Sequence, residues 1–330
     1  MLQALSQEID LRKNYLAGET IETIYFGGGT PSLLSADELQ ILIGAITDLY
    51  EVSPSAEITL EANPDDLNPQ KVREFRQTLI NRFSIGIQSF FEDDLKWMNR
   101  AHTAREAQSS IKRVQDAGFE NITADLIYGF PLLSNPKWEH NIQQLIELQI
   151  PHISSYSMTV EPATALSSFI KKGEQKPMDE GQSTAQFLIL MEQLIEAGFE
   201  HYEISNFAKP GLYSKHNSNY WEGVSYLGIG PSAHSFNGES RQWNISNNSN
   251  YIDQIGLKKI PAEIEVLSTE NRINEYIMTS LRTSKGMSLQ KITERFGSDY
   301  SNEVRDGLEP FADKNWINLK DQIVTLTTDG

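Results

Sequence analysis

The sequence TIYFGGGTPS at residues 23–32 joins a short apolar run to three consecutive glycines, a threonine and a proline. The run before the glycines is rich in β-branched and aromatic residues, which is typical of a buried strand. Three glycines at the end of that strand leave peptide N–H and C=O groups open to a ligand. Ligands bind at this end of the strands in parallel α/β folds. The stretch therefore indicates a tight turn or a ligand site, and the residues that follow favour a site.

Strand-like and helix-like segments alternate from this stretch to about residue 165. A helix over residues 35–50 begins at Ser35, which forms a capping box with Glu38. The spacing predicts further strands at 57–63, 83–89, 121–129 and 153–160, and helices at 2–16, 69–80, 104–117 and 136–148. This alternation indicates an α/β fold with a parallel sheet and helical crossovers, as in a barrel or partial barrel.

The remainder of the chain changes in composition after the last predicted strand of the barrel. A helix at 179–197 and a sixth strand at 199–204 complete a predicted barrel over residues 1–204. Residues 205–264 are rich in Asn, Ser, Gly, Tyr and Trp, which predicts a loop-dominated segment packed on the sheet. Residues 265–330 hold three predicted helices (269–281, one after Ser288, and 300–314) and two short strands (316–319 and 323–326), the pattern of a small winged-helix domain.

The composition excludes several classes of function. The 330 residues carry 28 basic and 45 acidic side chains, for a net charge of −17. Such a chain repels phosphate backbones, so we expect no nucleic-acid partner, even for the winged-helix segment. No run approaches the roughly 20 apolar residues of a membrane span, and the first residues lack the pattern of a signal peptide. We therefore expect a cytoplasmic protein without a membrane span.

The chain contains no cysteine. This excludes disulfides, a thiol nucleophile, thiolate zinc sites and iron–sulfur ligation by residues of this chain.

A polar residue lies near the carboxyl end of each predicted strand. Glu61 and Asp125 suit ribose hydroxyls or an ammonium group, Gln88 suits a hydroxyl or an amide, and Arg100 suits a carboxylate. Buried carboxylates and amides are costly without partners. The set therefore indicates a ring around one polar ligand, whereas any single member of it could instead cap a helix or pair with a neighbour.

At this point the chain resembles a known family. The motifs GGGTPS (27–32), EANP (61–64), SIGIQSF (84–90), NRAH (99–102) and DLIYGFP (125–131) occur in the order found in radical S-adenosylmethionine (SAM) proteins related to oxygen-independent coproporphyrinogen III oxidase. Three further motifs, YEISNF (202–207), HNSNYW (216–221) and GIGPSAH (228–234), resemble the HemW-type haem chaperone branch. The resemblance covers nearly the whole chain.

The resemblance implies a partial (β/α)6 barrel lacking its first strand, followed by a winged-helix-like domain. It implies that SAM is held by Gly28, Gly29, Thr30, Glu61, Gln88, Arg100 and Asp125, with Thr159 as a weaker match. It further implies haem as a second ligand and haem-accepting proteins as partners, with peripheral contact to membrane haem proteins.

The chain departs from the family at the cluster loop. In this family a CxxxCxxC loop after the first strand binds a 4Fe–4S cluster, and here that loop would precede Met1. We therefore expect a fragment or a late start, which also stops before the closing helix of its last hairpin. As it stands, the chain contains no metal ligand set for the cluster and is not expected to cleave SAM reductively.

Two of the six histidines are candidate haem ligands. His216 and His234 lie among aromatic residues, and a histidine in such surroundings fits an axial haem ligand. Tyr220 and Trp221 could stack on a porphyrin, and Asn217 belongs to the same motif. Each histidine could equally pack the segment on the barrel; we favour His216 as the ligand.

Three functions remain open from the sequence. The first is a HemW-like chaperone that binds haem and SAM and transfers haem. The second is a coproporphyrinogen III oxidase-type radical SAM enzyme. The third is a barrel that binds an anionic or nucleoside ligand at residues 27–30 without redox chemistry.

Overall fold

The computed structural model describes residues 1–162 and 164–330. In chain order its helices and strands are α1 Leu2–Leu11, β1 Ile21–Phe26, α2 Ala36–Thr47, β2 Val52–Ala62, α3 Pro69–Phe75, β3 Arg82–Gln88, α4 Glu92–Trp97, α5 Ala104–Asp116, β4 Asn121–Tyr128, α6 Asn135–Glu147, β5 His152–Ser157, α7 Ala165–Lys171, α8 Glu180–Glu196, β6 Glu200–Glu203, β7 Asn206–Ala208, α9 Lys215–Trp221, β8 His234–Phe236, β9 Ser240–Asn244, α10 Asn248–Gly256, β10 Ala262–Val266, α11 Thr269–Ser280, β11 Met287–Ser288, α12 Leu289–Phe296, α13 Ser298–Asp313, β12 Ile317–Lys320 and β13 Ile323–Leu326.

The main sheet is a curled partial barrel of seven strands in the order β1-β2-β3-β4-β5-β7-β6. Strands β1 to β5 are parallel, whereas β7 runs antiparallel to both β5 and β6. The predicted parallel sheet with helical crossovers is therefore confirmed. The predicted strand at 199–204 is β6, but it lies at the far edge because β7 comes between it and β5.

Side-chain alternation along the strands separates an apolar outer face from a polar inner face. The outer residues of β2, β3 and β4, such as Leu60, Phe83 and Ala124, are completely buried. They pack in one core with the apolar faces of α2, α3, α5, α6 and α8. The inner face carries polar residues instead, which leaves the interior of the barrel available for a ligand.

The helix capping predicted from the sequence is present in the structure. Ser35 and Glu38 form the predicted capping box at α2. Several elements are shorter than the sequence predicts: α1 ends at Leu11, α3 at Phe75 and β5 at Ser157. After α3 the chain turns before the predicted helix end at residue 80, and the Thr78 hydroxyl donates to the Phe75 carbonyl within this turn.

Residues 205–264, predicted to be loop-dominated, hold short regular elements between their loops. This segment contains β7, the helices α9 and α10, and a separate antiparallel sheet in the order β10-β9-β8. The elements are short, and α9 and α10 begin at the polar caps Ser214 and Asn247, so they show little apolar periodicity. Since β7 belongs to the barrel sheet, the sheet continues across residue 204, and the division at 204 and 264 stays a prediction.

The C-terminal part has the predicted three helices and hairpin. Helices α11, α12 and α13 pack on a sheet in the order β11-β13-β12 around a small core that includes Met287, Ile292 and Val324. The Ile204 N–H donates to the Arg282 carbonyl, which joins this winged-helix-like part to the barrel edge. None of the helices within 1–162 and 164–330 combines the length and apolarity that a membrane crossing requires.

Candidate functional site

An open cavity of about 250 Å³ lies at the carboxyl ends of the barrel strands. It gathers six of the eight residues predicted for SAM: Gly29, Thr30, Glu61, Gln88, Arg100 and Asp125. Gly28 lies beside it and donates its N–H to Glu61 Oε2 at 3.2 Å. Thr159 lies past the end of β5 and is not part of the lining. The ring expected from the strand ends therefore surrounds a single space.

The cavity also has residues that sequence reasoning missed. They come from the inner face of the strands and from the N-cap of α9: Tyr25, Arg82, Ser84, Thr123, Ser154, Tyr156 and Ser214. Asn217, predicted only as part of the haem motif, lines the cavity as well. The missed strand residues lie on the same strand faces as the predicted ones, at every second position. On β3, for example, Arg82, Ser84 and Gly86 precede the predicted Gln88. That alternation is the signal that would have found them.

Glycines shape the cavity in two ways. Gly28 and Gly29 adopt φ of +71° and +68°, a left-handed conformation that favours glycine, and a Cβ at either would meet only open space. Gly86 in β3 has the opposite role. A Cβ there would lie 2.9 Å from Gln88 Nε2 and 3.3 Å from an Arg100 guanidinium nitrogen. The absence of a side chain at Gly86 makes room for both polar groups.

Glu61 is held at the cavity wall by two donors. The Tyr25 hydroxyl donates to Glu61 Oε1 at 2.7 Å, and the second donor is the Gly28 N–H. Burial, together with the adjacent Glu61 carboxylate, raises the pKa of Tyr25 far above its usual value. The phenol therefore stays protonated and donates across the physiological range.

Asp125 lies in the floor of the cavity. The Ser84 hydroxyl is 3.3 Å from each of its carboxylate oxygens. Burial and the nearby Glu61 raise the pKa of Asp125 to about 7, against the opposing effect of bonds from Ser154 and Ser84 and the charge of Arg82. Two carboxylates that line one cavity favour a ligand that brings a positive charge or hydroxyl donors.

Arg100 and Gln88 complete the polar wall. Arg100 donates from its guanidinium to Asn63 Oδ1 at 2.8 Å, so its orientation is fixed before any ligand binds. Gln88 has φ of +65°, an uncommon conformation for a residue other than glycine. Backbone strain of this kind concentrates at functional sites.

Beneath the cavity, a buried polar network lies on the inner face of the strands. Arg82 is 1% exposed, donates to Asn121 and to Thr123 Oγ1, and lies 3.7 Å from Glu57 Oε2. Thr123 Oγ1 lies 3.1 Å from His152 Nδ1. Arg82 and Glu57, the two buried charges of this network, therefore satisfy each other.

Helix α9, which carries the whole HNSNYW motif, is attached to this network. Glu57 accepts hydrogen bonds from the Ser214 hydroxyl and from the backbone N–H groups of Lys215 and His216, at 3.3, 3.1 and 3.0 Å. Asn217, the next residue, lines the cavity. The motif therefore lies directly against the predicted SAM site.

The His216 ring packs on β1. Its Nδ1 lies 3.0 Å from Thr23 Oγ1, and the ring stacks on Tyr25 with centroids 4.5 Å apart and planes 18° apart. Burial lowers the pKa of His216. The imidazole is therefore neutral at pH 7.

The other candidate haem residues lie further from the cavity. Tyr220 is 52% exposed and packs edge-to-face against Trp221. The Arg282 guanidinium lies 5.9 Å from the Trp221 ring centroid. His234 is exposed in β8, with its ring 6.2 Å from that of Trp243. The two candidate histidines thus lie on separate elements, and only His216 adjoins the cavity lining.

Comparison with known proteins agrees with this geometry. The model of the radical SAM superfamily matches residues 6–145, and that of the HemN C-terminal domain matches residues 267–330. The heme chaperone HemW of Bacillus subtilis is 34% identical, over 100% of this chain and 87% of its own length. The heme chaperone HemW of Escherichia coli is 36% identical, over 71% of this chain and 61% of its own length.

A solved structure confirms the architecture. The coproporphyrinogen III oxidase HemN of Escherichia coli, a radical SAM enzyme, superposes with a TM-score of 0.81 at 22% identity, over 100% of this chain and 79% of its own. At that identity the likeness shows the fold alone. The sequence relationship over almost the full chain is more specific: this protein belongs to the HemW family of haem chaperones within the radical SAM superfamily.

Proposed function

We propose that this protein binds SAM in the barrel cavity and haem at α9, and that it transfers haem to acceptor proteins. The observation that carries the proposal is the single cavity lined by Gly29, Thr30, Glu61, Gln88, Arg100 and Asp125, with Asn217 of the HNSNYW motif in the same lining. The relatives named as heme chaperones support the haem part of the proposal.

The cavity residues match the functional groups of SAM. The carboxylates of Glu61 and Asp125 accept from ribose hydroxyls and attract the ammonium and sulfonium charges. Arg100 presents a guanidinium for the carboxylate, with one nitrogen already held by Asn63. At Gly28 and Gly29 the backbone approaches the ligand without side chains between them. Thr159 lies outside the lining, and its contact with SAM stays a prediction.

The surroundings of His216 fit an axial haem ligand. A ligating histidine is usually oriented by a hydrogen bond from its other ring nitrogen, and Thr23 Oγ1 provides that partner for Nδ1. With the proton on Nδ1, Nε2 carries the lone pair that would ligate iron. The lowered pKa of His216 removes competition from a proton. Tyr220 on the same helix exposes an aromatic ring for the porphyrin.

The residues of this chain do not fit the 4Fe–4S cluster, because none of the 330 is a cysteine. The proposed transfer needs only exchange of an axial ligand. A single imidazole on a partly exposed helix holds haem reversibly, and an acceptor protein with its own ligands completes the exchange. Acceptors include haem proteins at a membrane surface, reached by peripheral contact from the cytoplasm.

Thermal or urea unfolding with and without SAM tests the SAM site. A ligand bound only to the folded state at 100 times its Kd stabilises by about 2.7 kcal/mol. We expect such a shift in wild type and in Glu51→Gln, whose side chain is exposed and far from the cavity. Arg100→Ala should lose most of the shift. If SAM leaves the stability of wild type unchanged, the proposed SAM site is wrong.

A further inference from the structure

We propose that Tyr25 is a positioning residue that couples the SAM cavity to His216, so that SAM and haem each increase the affinity for the other. This inference rests on the proposed function. It adds a thermodynamic link between two sites and assigns that link to one side chain.

Tyr25 contacts both sites with different parts of its side chain. Its hydroxyl donates to Glu61 Oε1 at 2.7 Å, on the cavity wall. Its ring face covers the His216 imidazole at 4.5 Å and is nearly parallel to it. No other residue needs to move for a change at Glu61 to reach His216.

Tyr25 approaches Glu61 closely because residue 27 is a glycine. A Cβ at Gly27 would lie 2.5 Å from the Tyr25 ring and 3.0 Å from Glu61 Oε1, so Gly27 permits the close approach of the two side chains. Thr23 lies two residues earlier on the same face of β1 and binds His216 Nδ1 at 3.0 Å. One face of β1 therefore sets both the plane of the His216 imidazole and the direction of its Nε2.

The backbone of His216 is fixed as well. Glu57 accepts the His216 N–H at 3.0 Å, and its own carboxylate lies 3.7 Å from the buried Arg82, which lines the cavity. The remaining freedom of His216 is that of its side chain, and Tyr25 and Thr23 restrict it. Ordering Tyr25 therefore acts on the haem ligand and leaves the helix in place.

The direction of the coupling follows from the ordering of these groups. A SAM hydroxyl or ammonium that binds Glu61 fixes the carboxylate, which fixes the Tyr25 hydroxyl and, through the ring, the imidazole plane. Haem that binds later does not have to order these groups again, which gives positive cooperativity. Linkage requires the same factor in the opposite direction.

Haemin titrations followed in the Soret band, with and without saturating SAM, measure the coupling. We expect SAM to lower the haemin Kd of wild type about fivefold or more. Calorimetric titration with SAM should show the same factor when haemin is bound. In Tyr25→Phe, which keeps the ring and removes the hydroxyl, the ratio should fall to about 1. Tyr50→Phe should keep the wild-type ratio, since the Tyr50 hydroxyl donates to the Arg12 carbonyl outside the site.

A second measurement needs no haem. In protein labelled with ¹⁵N-histidine, SAM alone should shift the His216 ring resonances of wild type but leave them in place in Tyr25→Phe. If wild type binds both ligands with a ratio of 1, the coupling is wrong and the proposed function stands. A ratio that persists in Tyr25→Phe would overturn the role of Tyr25. Failure of wild type to bind SAM or haemin would overturn the proposed function and this inference with it.

Discussion

The carboxylate of Glu57 in β2 accepts the backbone N–H of His216 at 3.0 Å, across 159 residues of sequence. This bond and those from Ser214 and Lys215 place the start of α9 on the barrel interior. A side chain on a strand thus determines where the HNSNYW motif lies. The position of the candidate haem ligand is a property of the barrel as much as of its own helix.

We therefore expect Glu57→Ala to destabilise the protein strongly. The substitution leaves Arg82, which is 1% exposed, without its carboxylate partner, and breaking a buried pair in this way costs about 3–5 kcal/mol. Urea unfolding measures the loss. The exposed Glu51→Ala is the matched control and should stay within about 0.5 kcal/mol of wild type. Similar midpoints for the two variants would contradict the assigned role of Glu57.

SAM affinity should rise with pH through about 7, the pKa to which burial and Glu61 raise Asp125. A cationic ligand prefers the ionised carboxylate, so SAM binding weakens below this pKa by at most about tenfold per pH unit. Groups facing Asp125 from the neighbouring strands are Tyr25, Glu61, Arg82, Ser84, Ser154 and Tyr156. Calorimetry between pH 6 and 8 measures the profile, and Asp125→Asn should flatten it. A slope retained in Asp125→Asn would assign the titration to another group.

The same carboxyl group should make the empty protein less stable at high pH. Its pKa in the folded state lies above the unfolded value of 3.8, so its contribution to stability is complete below about pH 4 and is lost as pH rises through 7. The stability of Asp125→Asn relative to wild type should therefore increase from pH 5 to pH 8. Urea midpoints of both proteins at the two pH values test this, and a constant difference would contradict the raised pKa.

Alanine at Gly29 should damage both stability and the SAM site. The backbone there has φ of +68°, and an L-residue in the left-handed region costs roughly 1–2 kcal/mol. The matched control is Gly44→Ala in α2, where a Cβ meets nothing within 4 Å and φ is not positive. That substitution should stabilise by about 0.5–1 kcal/mol. Opposite signs of the two changes in unfolding free energy are the expected result; equal signs would contradict the conformational argument.

Helix α1 should depend on Glu8. This side chain is fully buried and accepts from Arg12 Nε at 2.9 Å, Asn244 Nδ2 at 2.7 Å, the Tyr251 hydroxyl at 2.5 Å and the Gly230 N–H at 2.8 Å. It therefore attaches α1 to the segment that carries β9 and α10. We expect Glu8→Ala to cost about 3–5 kcal/mol in urea unfolding. Asp10→Ala on the exposed side of α1 should change little, because exposed ion pairs contribute about 0–1 kcal/mol.

The sequence alone predicts the parallel sheet and the ring of ligand residues, for physical reasons that are local. Capping at Ser35 depends on residues three apart, and the carboxyl ends of parallel strands meet wherever the strands pair. Glu61, Gln88 and Asp125 therefore converge without any knowledge of the side chains between them.

What sequence reasoning missed depends on contacts distant in the chain. Helix α9 has no buried residue of its own. The backbone N–H groups at its start donate to Glu57 of β2, which is distant in the sequence. The network of Arg82, Thr123 and His152 is likewise recognisable only once the inner face of each strand is known. The position of β7 between β5 and β6 depends on tertiary contacts, and the three residues of β7 do not encode it locally.

The most direct test of the account is a haemin titration of the full chain, followed in the Soret band, for wild type, His216→Ala and His234→Ala. We predict a saturable Soret shift for wild type and for His234→Ala, and its loss in His216→Ala. A shift in His216→Ala equal to that of wild type would contradict the proposed haem ligand, and no shift in any of the three proteins would contradict haem binding by this chain.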